Sequence, residues 1–145
     1  MKFNRLGNSD LQVSDVCLGT MTWGIQNTQQ DADEQMAFAL DKGVNFVDTA
    51  EMYPVPPNVD TYGDTERIIG NWISRNESKR SDIVLMTKIA GSGLKYIRNA
   101  GPITADAIAN ALTYSLERLK TDYIDVYQLH WPNRVTPHFG KHWPD

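Results

Sequence analysis

Four short apolar runs, separated by three stretches of helical periodicity, constrain this chain more than any other feature. The runs fall at residues 16–18, 44–48, 82–88 and 124–130. After the first, Asp31-x-x-Glu34 reads as a capping box. Met36, Ala39, Leu40 and Val44 follow at helical spacing, and Gly43 stands where a helix should stop. After the second, Asp64 is placed to cap a helix whose stripe is Ile68, Ile69, Trp72 and Ile73. After the third, Thr104 caps a helix through Ile108, Ala111, Leu112, Ser115, Leu116 and Leu119. Buried strands joined by crossover helices pair in parallel. Ahead of them, residues 3–6 and 11–13 flank a Gly-Asn-Ser-Asp turn and read as a β-hairpin. The segment from Thr49 to about Tyr62 carries Pro54, Pro56 and Pro57, so it is a loop. Two architectures satisfy this order: an open doubly wound sheet, or part of a closed barrel.

Bulk properties exclude several functions. The chain has 145 residues, 41% hydrophobic and 22% charged, enough for one domain with a core. A formal net charge of −4 without basic runs argues against nucleic acid or an anionic membrane as partner. The first ten residues hold no apolar signal-peptide core, and the longest strongly apolar run, Ile83-Val84-Leu85-Met86, is too short to span a bilayer. Cys17 is the only cysteine, which makes an internal disulfide impossible and the reducing cytoplasm the natural compartment. Lying within Val16-Cys17-Leu18, it reads as buried strand.

Ionisable residues collect at one end of the expected strands. Asp48, Lys88 and His130 each close a different run, and Tyr53 follows Asp48 by a short loop. Side chains at the C-terminal ends of parallel strands converge on one mouth, where barrel enzymes place their chemistry. Each alone has an ordinary structural explanation, as a helix cap or a satisfied polar group; four complementary groups on three strand ends fit chance poorly. A phenol is a weak acid at neutral pH, an adjacent ammonium favours its phenolate, and a carboxylate keeps the ammonium charged and oriented. An imidazole can hydrogen-bond a substrate oxygen or relay a proton. The set suits protonation of a carbonyl oxygen as it becomes an alkoxide. Acyl transfer fits badly, because no Ser or Cys is paired with the histidine in a recognisable motif.

The stretches Asn45-Phe46-Val47-Asp48-Thr49-Ala50-Glu51-Met52-Tyr53, Val84-Leu85-Met86-Thr87-Lys88 and Asp125-Val126-Tyr127-Gln128-Leu129-His130-Trp131-Pro132 resemble those of the aldo-keto reductase superfamily. So do the hairpin and Leu18-Gly19-Thr20-Met21-Thr22-Trp23-Gly24, while Glu51-Met52-Tyr53-Pro54-Val55-Pro56-Pro57 resembles a bacterial branch of it. The resemblance covers essentially the whole chain. It implies an N-terminal hairpin followed by the first half, about four β/α units, of a TIM (β/α)8 barrel, with residues 1–145 as the N-terminal portion of one such domain. It implies NADPH-dependent reduction of aldehyde or ketone carbonyls, NADH not being excluded. Tyr53 would donate the proton, Lys88 would tune Tyr53, Asp48 would pair with Lys88, and His130 would orient the carbonyl. Gly19, Thr20, Met21 and Asp48 would contact the nicotinamide end; Trp23 and Trp131 would line the substrate cleft or simply pack at its rim. The alternative is a non-catalytic scaffold or regulatory subunit of the same fold, against which the intact tetrad argues.

One departure bears on the proton donor. Family members commonly carry Gly after the catalytic Tyr; here Pro54 follows Tyr53, and Tyr62-Gly63 makes Tyr62 a rival. The spacing from Asp48 and the flanking Ala50-Glu51-Met52 favour Tyr53. Other constellations carry little. Gly91-x-Gly93 lacks the third glycine of a dinucleotide fingerprint, His138 and His142 have no evident third metal ligand, and Asp60, Asp64 and Glu66 read as a solvated loop and a helix start. Because the family's adenosine and 2′-phosphate contacts lie in its second half, the resemblance implies a truncated reductase that binds NADPH weakly and turns over poorly alone. Self-association through open half-barrel edges is the other expectation.

Overall fold

The computed structural model describes residues 1–133. The hairpin forms as expected: β1 (Phe3–Arg5) and β2 (Gln12–Ser14) pair antiparallel, Phe3 opposite Ser14 and Arg5 opposite Gln12. Asn45 ties it to the main sheet, accepting from Ser14 N–H at 2.8 Å and donating to the Gln12 carbonyl at 2.9 Å.

The main sheet consists of β3 (Cys17–Gly19), β4 (Phe46–Asp48), β5 (Val84–Ile89) and β6 (Val126–Leu129), in sequence order and all parallel. Between successive strands run α1 (Gln29–Asp41), α2 (Asp64–Arg75) and α3 (Ala105–Leu119). Strand alternation sorts the side chains. Val47 and Leu85 pack with Met36, Ile69, Trp72, Ile73 and Leu119 in a layer under the helices, and Ile89 packs with Ile103 and Ala111. The intervening positions face the other way. There the register sets Gly19 opposite Asp48, Asp48 opposite Met86, and Lys88 opposite Gln128.

Gly70 lets α2 and α3 meet at backbone distance. A Cβ at that position would stand 2.1 Å from the Arg118 carbonyl oxygen, so only glycine fits. At the N-terminal ends of β5 and β6, the buried Arg80 guanidinium donates to Asp125 at 2.8 Å, to the Ile83 carbonyl at 3.1 Å and to the Tyr123 carbonyl at 2.9 Å, and lies 3.8 Å above the Tyr123 ring. The second Asp125 contact, 2.9 Å from Leu85 N–H, completes a polar lock between the two strands.

Four expectations need correction. α1 opens on Thr28, which accepts from Asp31 N–H while Asp31 accepts from Thr28 N–H; the capping box is therefore Thr28-x-x-Asp31, one turn before the expected pair. α2 is preceded by Gly63 at φ 80° rather than capped by Asp64, whose carboxylate pairs with Arg67 at 2.7 Å. Glu66 is not solvated: it is wholly buried, accepting from Thr87 at 2.6 Å and from Arg118 at 2.7 Å. Cys17 is exposed, β3 pairing with β4 alone among the described residues. His138 and His142 lie outside the described residues. No helix among the described residues is long and apolar enough to cross a membrane.

Candidate active site

The C-terminal ends of β4 and β5 bring Asp48 and Lys88 together. Lys88 Nζ lies 2.6 Å from Asp48 Oδ1 and donates to the Thr49 carbonyl at 2.8 Å. The Asp48 contact is an ion pair, made alongside the Thr49 hydrogen bond. Lys88 is 7% exposed, so this charge is stabilised mainly by the protein. Tyr53, 9% exposed, turns back from the β4 loop until its hydroxyl is 3.4 Å from Lys88 Nζ. His130, just past β6, meets the Tyr53 ring edge-on at 5.7 Å between centroids. Burial first, and the Lys88 charge second, push its pKa down to about 4, so the imidazole is neutral at neutral pH. Its Nδ1 is buried without a hydrogen-bond partner among the described residues. Trp131 lies beside His130 at 5.1 Å, and its indole N–H donates to the Ser92 carbonyl at 3.0 Å.

The other sequence candidates divide. Thr20 is fully buried and anchored on β4, donating to the Asp48 carbonyl from both Oγ1 (2.7 Å) and N (3.2 Å). Gly19 borders open space, and Met21 is 49% exposed beside it. Trp23 is not at this group. It is 1% exposed in the core with Met36, Ile69 and Trp72, donating to Gln35 at 2.8 Å. Tyr62 packs against the cluster of Ala50, Met52 and Tyr53, edge-on to Tyr96 at 6.1 Å and 5.3 Å below the Arg118 guanidinium, and burial raises its pKa.

Sequence reading missed Glu51. It is fully buried, its Oε1 accepting from Ala90 N–H at 2.5 Å and its Oε2 from Arg98 at 2.7 Å. A glutamate two residues before the site tyrosine, inside an otherwise apolar segment, was the available signal.

Parallel β/α units with a carboxylate, an ammonium, a phenol and a neutral imidazole gathered at one rim define a barrel-type α/β protein with a site at its strand C-termini. Residues 15–142 match the model of the aldo/keto reductase family, and the chain belongs to that family. Protein tas of Escherichia coli (strain K12) is 44% identical over 144 residues, covering 97% of this chain and 41% of that protein. The uncharacterized oxidoreductase YrpG of Bacillus subtilis (strain 168) is 37% identical, over 94% of this chain and 42% of that protein. Among solved structures, an aldo-keto reductase from Bacillus halodurans in its holo form superposes with TM-score 0.69 at 34% identity, over 89% of this chain and 40% of that one. A thermostable aldo-keto reductase in complex with the inhibitor epalrestat gives 0.68 at 28%, over 94% and 45%. The chain thus spans about two fifths of the length of these curated relatives. Its four parallel strands are part of the family's TIM barrel, and the doubly wound alternative falls away.

Proposed function

We propose that this chain carries the proton-transfer half of an NADPH-dependent reductase of aldehydes and ketones. The observation that supports this best is the approach of Lys88 Nζ to both Asp48 (2.6 Å) and the Tyr53 hydroxyl (3.4 Å). Tyr53 donates its hydroxyl proton to the carbonyl oxygen as that oxygen gains electron density. Lys88 steadies the phenolate left behind, and Asp48 holds Lys88 in place. His130, neutral at neutral pH, donates a ring N–H to the same oxygen and orients it. Trp131 borders the cleft, whereas the 1% exposure of Trp23 supports the packing reading for that residue.

The residues present fit the nicotinamide end of a cofactor. Gly19 faces open space next to the Asp48 end of β4, and the buried Thr49 Oγ1 has no hydrogen-bond partner among the described residues. Gly19, Thr20, Met21 and Asp48 would hold that end. The bound nicotinamide supplies the hydride. Which of NADPH and NADH serves, and a cytoplasmic location, stand as parts of the same proposal.

The test is NADPH oxidation against a panel of aldehydes and ketones, with NADH in parallel, using the product of the complete coding sequence and its Tyr53→Phe variant. Turnover that falls at least 100-fold on losing the phenol, about the worth of a positioned general acid, supports the proposal. No turnover in the parent, or turnover indifferent to Tyr53, sinks it in favour of a catalytically silent subunit.

A further inference from the structure

The loop that delivers Tyr53 is fastened by a buried ion pair. Glu51 lies two residues before Tyr53, and its backbone N–H donates to the carbonyl of Lys88 itself at 3.2 Å. Its carboxylate is 0% exposed and spans the end of β5: one oxygen takes Ala90 N–H at 2.5 Å, the other takes Arg98 Nη1 at 2.7 Å. Arg98 closes the ring by donating Nη2 to the Ala90 carbonyl at 2.6 Å. Both polar groups of the Ala90 backbone are therefore held by side chains, one from each flanking loop. Arg98 pays for this arrangement in backbone geometry: Arg98, Asn99 and Ala100 sit in succession at φ 46°, 54° and 59°. Three consecutive left-handed non-glycine residues persist only where surrounding contacts over-determine them. Tyr53 N–H in turn donates to the Ala50 carbonyl at 3.1 Å, closing the turn that carries the phenol.

We propose that Glu51 and Arg98 are positioning residues: the pair clamps the 50–53 turn onto the end of β5 and thereby sets the Tyr53 hydroxyl against Lys88. Neither residue reaches the reacting atoms. The inference rests on the carbonyl-reductase reading for its kinetic consequence, but its structural core concerns only where Tyr53 sits.

The experiment uses the product of the complete coding sequence with tyrosines labelled at 13Cζ, the Tyr53 signal being assigned by Tyr53→Phe. Three variants are compared with the parent: Glu51→Gln, Arg98→Lys, and the neutral pair Glu51→Gln/Arg98→Met, which removes both charges together and so guards against misfolding of the single variants. Displacement of the phenol predicts a shifted or broadened Tyr53 resonance, unchanged far-ultraviolet circular dichroism, and a kcat lowered by up to ~100-fold with KM held within about twofold. A purely structural pair would lower the melting temperature and leave the Tyr53 signal in place. An unchanged Tyr53 resonance in whichever of these variants fold, or kcat within about twofold of the parent in the neutral pair, overturns the proposal. If the parent shows no carbonyl reduction at all, the functional reading fails alone, and the resonance still decides whether the clamp positions Tyr53.

Discussion

The Lys88 ammonium lies 3.4 Å from the Tyr53 hydroxyl and 4.8 Å from the centre of its ring, so the cation addresses both the oxygen and the π-face of the same side chain. A charge placed there stabilises the phenoxide oxygen that proton donation would leave. Lys88→Met should lower kcat by roughly 100-fold or more, the usual worth of an acid–base apparatus. It should also destabilise the fold by about 3 kcal/mol, because Asp48 loses its cation. Pairing it with Asp48→Asn should recover most of the stability in urea titrations and none of the turnover.

Tyr62 provides the control. It contacts Tyr96 and Arg118 rather than Lys88, and burial raises its pKa. Tyr62→Phe should keep kcat within about twofold of the parent, near the floor of any general-acid effect. A loss matching that of Tyr53→Phe in the same assay would transfer the proton-donor role to Tyr62.

His130 gives the site a pH signature in stability. Its pKa falls from 6.5 to about 4 on folding, so between those values the unfolded chain binds a proton that the folded chain does not. Stability from this group is therefore complete above pH 6.5 and is lost as pH falls toward 4. Between pH 7 and 4.5 the parent should lose about 2 kcal/mol more than His130→Gln, measured by denaturant titration at each pH. Parallel curves for the two proteins would show that His130 titrates as if in water.

Gly70→Ala tests the helix crossing. The new methyl would have to occupy a point 2.1 Å from the Arg118 carbonyl oxygen and 2.9 Å from the Leu119 carbonyl carbon, and backbone cannot swing aside as a side chain can. A loss of about 3 kcal/mol or more is expected in urea unfolding, at the upper end of overpacking costs. Helix propensity alone would have made the same substitution stabilising by up to about 1 kcal/mol, so the sign of the change is diagnostic.

Much of the fold was legible because periodicity is a local property. Each strand and helix carries its own pattern, and parallel pairing follows from their order. The rim residues were legible for the same reason: Asp48, Lys88 and His130 close their own runs, and parallel strands bring those ends together. What escaped depends on partners distant in sequence. Glu51 meets Arg98 at a separation of 47 residues, and Glu66 meets Arg118 at 52; hydropathy assigns a lone glutamate to water because it cannot see the guanidinium that offsets its burial. Cys17 escaped because an apolar run does not reveal which neighbours its strand has; among the described residues β3 pairs with β4 alone. Thr28 escaped because Asp31 satisfies the capping pattern equally well at the cap and three residues inside the helix.

The polar lock of Arg80 and Asp125 has a consequence for altering this protein. It joins β5 and β6 at their N-terminal ends, while Lys88 and His130 occupy the opposite ends of the same two strands. The lock and the candidate site thus lie on different margins of one sheet. Sequence change at the Arg80 margin can drift, or be engineered, toward greater or lesser durability without touching Lys88 and His130, and the lock keeps the two strands aligned whatever changes at the other margin.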